Sequence, residues 1–166
     1  MKPLDNPDPS SKKIKQVLTA LEKDAIPFKH ATFEKPAHHA AEAAALLGCP
    51  LGAVIKSLIF KIEAIGDPLL VLVSGKNQVD FQKLDRLVEQ ECRPMAPKDI
   101  KKLTGFSVGA VPPFGFKREI PVIIDADLQA YHYLWASAGE VNSLIRIKFA
   151  DLLTLTGGTV APVKQV

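Results

Sequence analysis

Val54-Ile55-Lys56-Ser57-Leu58-Ile59-Phe60-Lys61-Ile62, followed after Gly66-Asp67-Pro68 by Leu69-Leu70-Val71-Leu72-Val73-Ser74, is the stretch from which the fold is read. Each half is a β-branched, apolar run of strand length bounded by turn residues, so the two read as adjacent core strands. Pro121-Val122-Ile123-Ile124-Asp125, Tyr131 to Gly139 and Ser143-Leu144-Ile145-Arg146-Ile147 repeat the pattern later, with short turns between them. Ser10-Ser11 caps a helix whose Ile14, Val17, Leu18 and Leu21 recur at helical spacing, and Ile26 to His30 reads as a short strand. A helix from His39 to Leu47 closes at Gly48, and Gly75-Lys76-Asn77-Gln78 turns the chain into a helix carrying Phe81, Leu84, Leu87 and Val88. Pro97 opens a helix with Ile100 and Leu103 that Gly105 closes; Phe149 to Leu155 reads as another, and Thr159 to Val163 as an edge strand. Helices and strands alternate without a regular βαβ period. That predicts one α/β domain with a mixed, partly antiparallel sheet surrounded by helices.

Composition bounds the function classes. At 166 residues and 47% hydrophobic content the chain can bury a core as one domain, read here as 10–166 behind a loose tail over 1–9. No apolar run approaches the roughly 20 residues of a membrane span, and the start has no signal-peptide core, so a cytoplasmic location is expected. The two cysteines, Cys49 and Cys92, lack metal-site or disulfide-framework spacing, and no metal or cofactor is expected. His38 and His39 are adjacent and point about 100° apart on a helix, which also argues against a metal site. His132, between Tyr131 and Tyr133, reads as a partly buried, hydrogen-bonded histidine. A net charge of +3 is too small to bind nucleic acid by charge alone. The local clusters at Lys12-Lys13-Ile14-Lys15, Lys98 to Lys102 and Lys117-Arg118 leave two readings open, phosphate contacts or solvated faces.

Gly105-Phe106-Ser107-Val108-Gly109-Ala110-Val111-Pro112-Pro113-Phe114-Gly115 cannot lie inside a regular element. It is a shaped loop, fit either to connect or to hold main-chain groups toward a ligand. Lys56, then Gly109-x-x-x-Pro113, then the strand ending in Asp125 and the Ser137-Ala138-Gly139 turn, in that order, resemble the YbaK family, the editing domains associated with prolyl-tRNA synthetase. The likeness runs from about Ser10 to Leu155 and includes the Glu42-Ala43-Ala44 helix.

The resemblance implies a curved mixed sheet and hydrolysis of a mischarged small amino acid from tRNA, with tRNA for proline the expected substrate. Partners are then the acceptor end of aminoacylated tRNA and prolyl-tRNA synthetase, with neither DNA nor membrane. Such an ester is already activated, so positioning of the carbonyl and of the attacking group suffices. No serine has the G-x-S-x-G context, and the cysteines lie in helix-end or linker surroundings, so no protein nucleophile is expected. Lys56, in Lys56-Ser57-Leu58, matches the family's essential lysine and is assigned an electrostatic role toward the terminal phosphate or the ester oxygen. Gly109, Ala110, Val111, Pro112 and Pro113 match the loop whose main chain holds the aminoacyl group. Ser137, Ala138 and Gly139 match the opposite wall. Asp125 either orients the active-site loop or caps the turn after it.

This sequence also departs from the family. Glu140-Val141-Asn142-Ser143-Leu144 stands where cysteine-editing members carry Arg-Gly and then Asp, and Phe33 stands near their tyrosine. Alanine-editing members carry a histidine after the turn, and here Asn142 becomes the candidate polar group, with a turn asparagine as the other reading. These changes keep a second function class in view, a YbaK-like module that binds tRNA or a synthetase without hydrolysis.

Overall fold

The computed structural model describes residues 11–166; the tail read over 1–9 and the Ser10 half of the predicted cap lie outside the described residues. The elements run α1 (Lys12–Lys23), β1 (Lys29–Thr32), α2 (Ala40–Leu47), β2 (Ile55–Ile62), β3 (Pro68–Ser74), α3 (Phe81–Val88), β4 (Cys92–Pro94), α4 (Pro97–Thr104), β5 (Val122–Asp125), β6 (Tyr133–Ser137), β7 (Ser143–Lys148), α5 (Phe149–Thr156) and β8 (Thr159–Ala161). Ser11 caps α1 by accepting from the Ile14 N–H, Asp80 caps α3 by accepting from Gln82 and Lys83, and Pro97 opens α4.

The strands form an α/β domain with two ladders. Five strands lie in the order β4-β2-β3-β5-β8, with β3-β5 and β5-β8 parallel and the rest antiparallel. Three more lie antiparallel in the order β1-β7-β6, and a lone parallel bridge between Val54 and Trp135 joins the two ladders. The strand predicted over Ile26 to His30 begins instead at Lys29, because it is pairing with β7 that defines it. β4 escaped the sequence reading: a three-residue strand ending in proline has no periodicity to see.

All seven residues of β3 are buried, which explains its unbroken apolar run. Leu70 and Leu72 face the main core with Val17 and Leu21 of α1, Ile55 and Ile59 of β2, and Ile145 and Ile147 of β7. Leu69, Val71 and Val73 face a second cluster with Phe60, Leu84 and Val163. β3 is thus the shared wall of two cores. Leu72→Ala should therefore cost about 2–5 kcal/mol in chemical denaturation; a loss under about 1 kcal/mol would mean that the wall is not the structural centre.

Candidate active site

β2 is paired with β3 from Ile55 to Lys61 but with β4 only from Phe60 to Ile62. Ile59 sends its carbonyl to the β4 side, where it accepts from Met95 N–H at 3.0 Å. By strand alternation the main chain of Ser57 points to the same side, where no described strand pairs with it. β6 approaches that open edge at the Val54–Trp135 bridge and then follows β7. Between the diverging strands lies a cleft of about 420 Å³ lined by Lys56, Ser57, Val108, Gly109, Val111 and Ser137, among others.

Lys56 stands on the β2 face of Leu58 and Phe60, at the end where β3 gives way to the turn through Gly75. Gly75 packs so closely there that an added Cβ would lie 2.5 Å from the Leu51 carbonyl oxygen. The Lys56 ammonium donates to the Asn77 carbonyl. Burial lowers its pKa from the ordinary value of 10.5, and the negative charge of Asp125 partly opposes that shift. One of its three N–H bonds is used by Asn77, which leaves two for a ligand.

The glycine-proline loop is held by its own side chains. Phe106, Val111 and Phe114 are buried in the main core, Thr104 Oγ1 accepts from Phe106 N–H at 3.1 Å, and Gln16 Nε2 donates to the Gly115 carbonyl at 2.6 Å. Ala110 N–H closes a turn onto the Ser107 carbonyl at 2.9 Å. Gly109, with φ of +86°, stands at the cleft, and a Cβ built there meets no atom within 4 Å. Gly109 is exposed at the rim, so a side chain there is limited by the positive φ and not by a protein neighbour.

The structure brings Lys56, Gly109, Val111 and Ser137 together and separates the other predicted residues. Ala110 and Pro112 are buried in the loop, and Pro113 lines a different cleft of about 720 Å³ with Phe116 and Val122. That cleft sits by Ile62, at the far end of β2, about 20 Å along the strand from Lys56. Ala138 is in the main core, and Gly139 packs on the α1 backbone at Lys13. Asp125 is buried and caps its turn through Asp127 N–H at 3.0 Å, while also holding Ser74 N–H at 3.1 Å and Asn77 Nδ2 at 2.8 Å.

Phe33 and Asn142 do not reach the cleft wall. Phe33 is fully buried among Ala31, Ala43, Ala44, Val54 and Leu144. Asn142 Nδ2 donates to the Phe33 carbonyl at 3.0 Å, and its own carbonyl accepts from Phe33 N–H at 2.8 Å, so the pair ties β1 to the turn before β7. His132 also differs from its reading: it is exposed, with its ring against Tyr133 at 4.6 Å between centroids, because β6 begins only at Tyr133.

Three contributors escaped the sequence reading. His38 and His39, at the start of α2, line the cleft. Ser57 lines it too, and its Oγ is buried with no hydrogen-bond partner among the described residues. The signal for Ser57 was its place beside Lys56, but the open strand edge is visible only in three dimensions. The nucleophile candidates weaken further. Burial raises the thiol pKa of Cys49 and Cys92, and Ser143 is buried in a hydrogen bond with His30.

A family model described as an aminoacyl-tRNA editing domain matches residues 34–155. The chain belongs to this family. The editing domain is 26% identical over 160 residues, 93% of this chain and 97% of the other, to the proposed Cys-tRNA(Pro)/Cys-tRNA(Cys) deacylase EbsC of Enterococcus faecalis. It is 27% identical over 112 residues, covering 65% of this chain and 67% of the other, to the multifunctional Ser/Thr-tRNA deacylase ProXp-y of Escherichia coli K12. A crystal structure of a proposed trans-editing enzyme for prolyl-tRNA synthetase superposes with a TM-score of 0.87 at 38% identity, over 94% of this chain and 99% of that one. The family's activity is hydrolysis of aminoacyl-tRNA esters, and this editing domain is a hydrolase of that class.

Because Phe33 is fully buried, Phe33→Tyr should bury an unpaired hydroxyl, costing about 1–3 kcal/mol in thermal or chemical denaturation, with no gain of deacylation. Unchanged stability together with a faster rate would put this side chain in the cleft after all.

Proposed function

We propose that this editing domain acts in trans, removing a small amino acid from the 3′ end of tRNA, and that the tRNA is the one for proline. The observation that carries the reading is the meeting, in the lining of one cleft, of Lys56, the strand edge at Ser57 that no described strand pairs, and Gly109. A cationic donor beside an open main-chain loop suits an activated ester, whose hydrolysis needs the carbonyl held and its developing negative charge met. Lys56 supplies charge to the ester oxygen or to the terminal phosphate. Ser57 offers the main-chain groups of the open strand edge, and Gly109 lets the aminoacyl group lie against the main chain.

The walls narrow the substrate. Ala40, Ala43, Val54 and Leu144 line the cleft, so a short aminoacyl side chain meets an apolar surface. Leu51 and Val108, both exposed, line it as well and offer the terminal adenine apolar contact. The similarity to EbsC over nearly its whole length supports action on tRNA for proline, and the named substrates of both deacylases are small amino acids. The exposed Lys98, Lys101 and Lys102 of α4, at the base of the loop, are assigned to the acceptor-stem phosphates. Cytoplasmic work beside prolyl-tRNA synthetase belongs to the same proposal. Among the described residues no helix is long and apolar enough to cross a membrane.

Incubation with tRNAs mischarged with alanine, cysteine, serine or threonine, and with prolyl-tRNA, tests the reading. Loss of ester from at least one mischarged species with prolyl-tRNA spared is expected; no loss from any would favour the binding-module class. Lys56→Ala should lower the rate at least about a hundredfold while changing stability by less than about 1 kcal/mol. Full activity in that variant would place the chemistry elsewhere. The active form of Lys56 is the ammonium, and burial lowers its pKa, so the enzymatic rate should fall with rising pH before the ordinary lysine value of 10.5 is reached. Spontaneous ester hydrolysis rises over the same range, which separates the two. Gly109→Val adds a side chain at the wall of the cleft, with strain at positive φ of roughly 1 kcal/mol or more. Activity should fall by far more than the drop in Tm accounts for; full retention would make the loop a connector.

A further inference from the structure

The acceptor that holds the Lys56 ammonium is a carbonyl in a turn, not on a strand. Asn77 lies in the segment between β3 and α3, beside Gly75 and the exposed Lys76 and Gln78. Its side-chain amide is divided between two carboxylates: Nδ2 donates to Asp125 Oδ2 at 2.8 Å and to Asp127 Oδ2 at 2.9 Å. Asp125 is only 1% exposed and fixed by two backbone N–H groups, so it is an immobile post. Asp127 Oδ2 also accepts from Lys164 Nζ at 2.9 Å.

Lys164 is in turn laced to the same turn by the main chain. It bridges to Val79, Asp80 N–H donates to the Val163 carbonyl at 2.7 Å, and Gln165 N–H donates to the Gln78 carbonyl at 2.8 Å. Lys83 Nζ donates to the Lys164 carbonyl at 2.8 Å. None of Asn77, Asp125, Asp127 or Lys164 lines the cleft.

We propose that Asn77 is a positioning residue for Lys56, and that the 163–165 segment locks it in place through Lys164 and Asp127. The proposal rests on the editing reading of the cleft. A lysine side chain has several rotatable bonds, and a single fixed acceptor selects one placement of its ammonium. The Asn77 carbonyl is fixed only while its peptide plane is fixed. The clamped amide supplies that constraint where the turn's own backbone bonds, such as Asn77 N–H to the Ser74 carbonyl at 2.9 Å, leave the side chain free. Two carboxylates sharing one amide repel each other, and the Lys164 cation offsets that repulsion at Asp127; Lys76 contributes charge from the turn itself. The C-terminal segment thereby acts on catalysis without touching substrate.

The test follows the Lys56 ammonium by nitrogen-15 NMR titration and measures kcat and KM on a mischarged tRNA, for the full chain and for Asn77→Ala, Lys164→Ala and Lys164→Arg. Asn77→Ala should lower kcat at least about tenfold with KM changed by less than about twofold, since misplacing a group by an ångström is costly to rate. The Lys56 titration midpoint should fall because the residue-77 carbonyl, kept in Asn77→Ala, is no longer held toward the ammonium. Lys164→Ala should lose less, and Lys164→Arg should restore the wild-type kcat. Wild-type titration and wild-type kcat in Asn77→Ala and Lys164→Ala would overturn the proposal, as would a loss that only tracks the unfolded fraction. Should Asn77→Ala fail to fold, the Lys164 pair decides the matter. The titration needs no turnover, so a wild type that deacylates nothing defeats the editing reading while the Lys56 midpoint still decides the positioning.

Discussion

Val54 and Trp135 meet in one isolated bridge, and beyond it β2 stays with β3 while β6 stays with β7. A strand edge inside a folded domain carries main-chain donors and acceptors that cannot simply be buried, so it must be paired, wetted or given to a ligand. Here β4 covers the edge only from Phe60 onward. The part left open is where Ser57 and Lys56 stand, and the glycine-proline loop forms the facing wall. The cleft is thus a consequence of how two ladders separate, and its chemistry comes from residues at the point of separation.

The loop is rigid for reasons that lie on both of its sides. Phe106, Val111 and Phe114 are buried anchors, and the Gln16 side chain from α1 grips its end at Gly115. Gly109 sits between anchors, so its main chain is presented without being free to wander. The same loop serves two clefts, with Gly109 and Val111 at one and Pro113 at the other. The larger cavity lacks the lysine and the open strand edge. Convergence of chemical groups, not volume, selects the smaller one.

Much of this was legible in the sequence, for identifiable reasons. The two apolar runs became β2 and β3; β3, buried at every position, is apolar almost throughout, while the half-buried β2 keeps its lysines at partly exposed positions. Ser11, Pro97, Gly48 and Gly105 marked helix ends through local chemistry that needs no tertiary context. Lys56 and Gly109 stood out as a charge in an apolar strand and a glycine in a proline-bounded loop. The rest depended on facing. Phe33 and Asn142 lie at plausible distances along the chain, yet one fills a core and the other binds its backbone. Ser57 entered only as the middle of Lys56-Ser57-Leu58, and the unpaired strand edge at its main chain depends on where β4 stops. Asn77 belonged to a turn whose significance depends on Asp125, Asp127 and Lys164 arriving from distant positions.

The claim on which the account turns is that the aminoacyl end of tRNA lies between β2 and β6. Titrating the nitrogen-15-labelled protein with a 3′-aminoacylamino-adenosine analogue, in which an amide replaces the labile ester, locates it directly. The backbone amides of Ser57, Gly109, Val111 and Ser137 should shift together and saturate together, while those of Phe116, Val122 and Gly157 in the larger cleft stay in place. Shifts confined to the larger cleft, with Ser57 and Gly109 unmoved, would contradict the account.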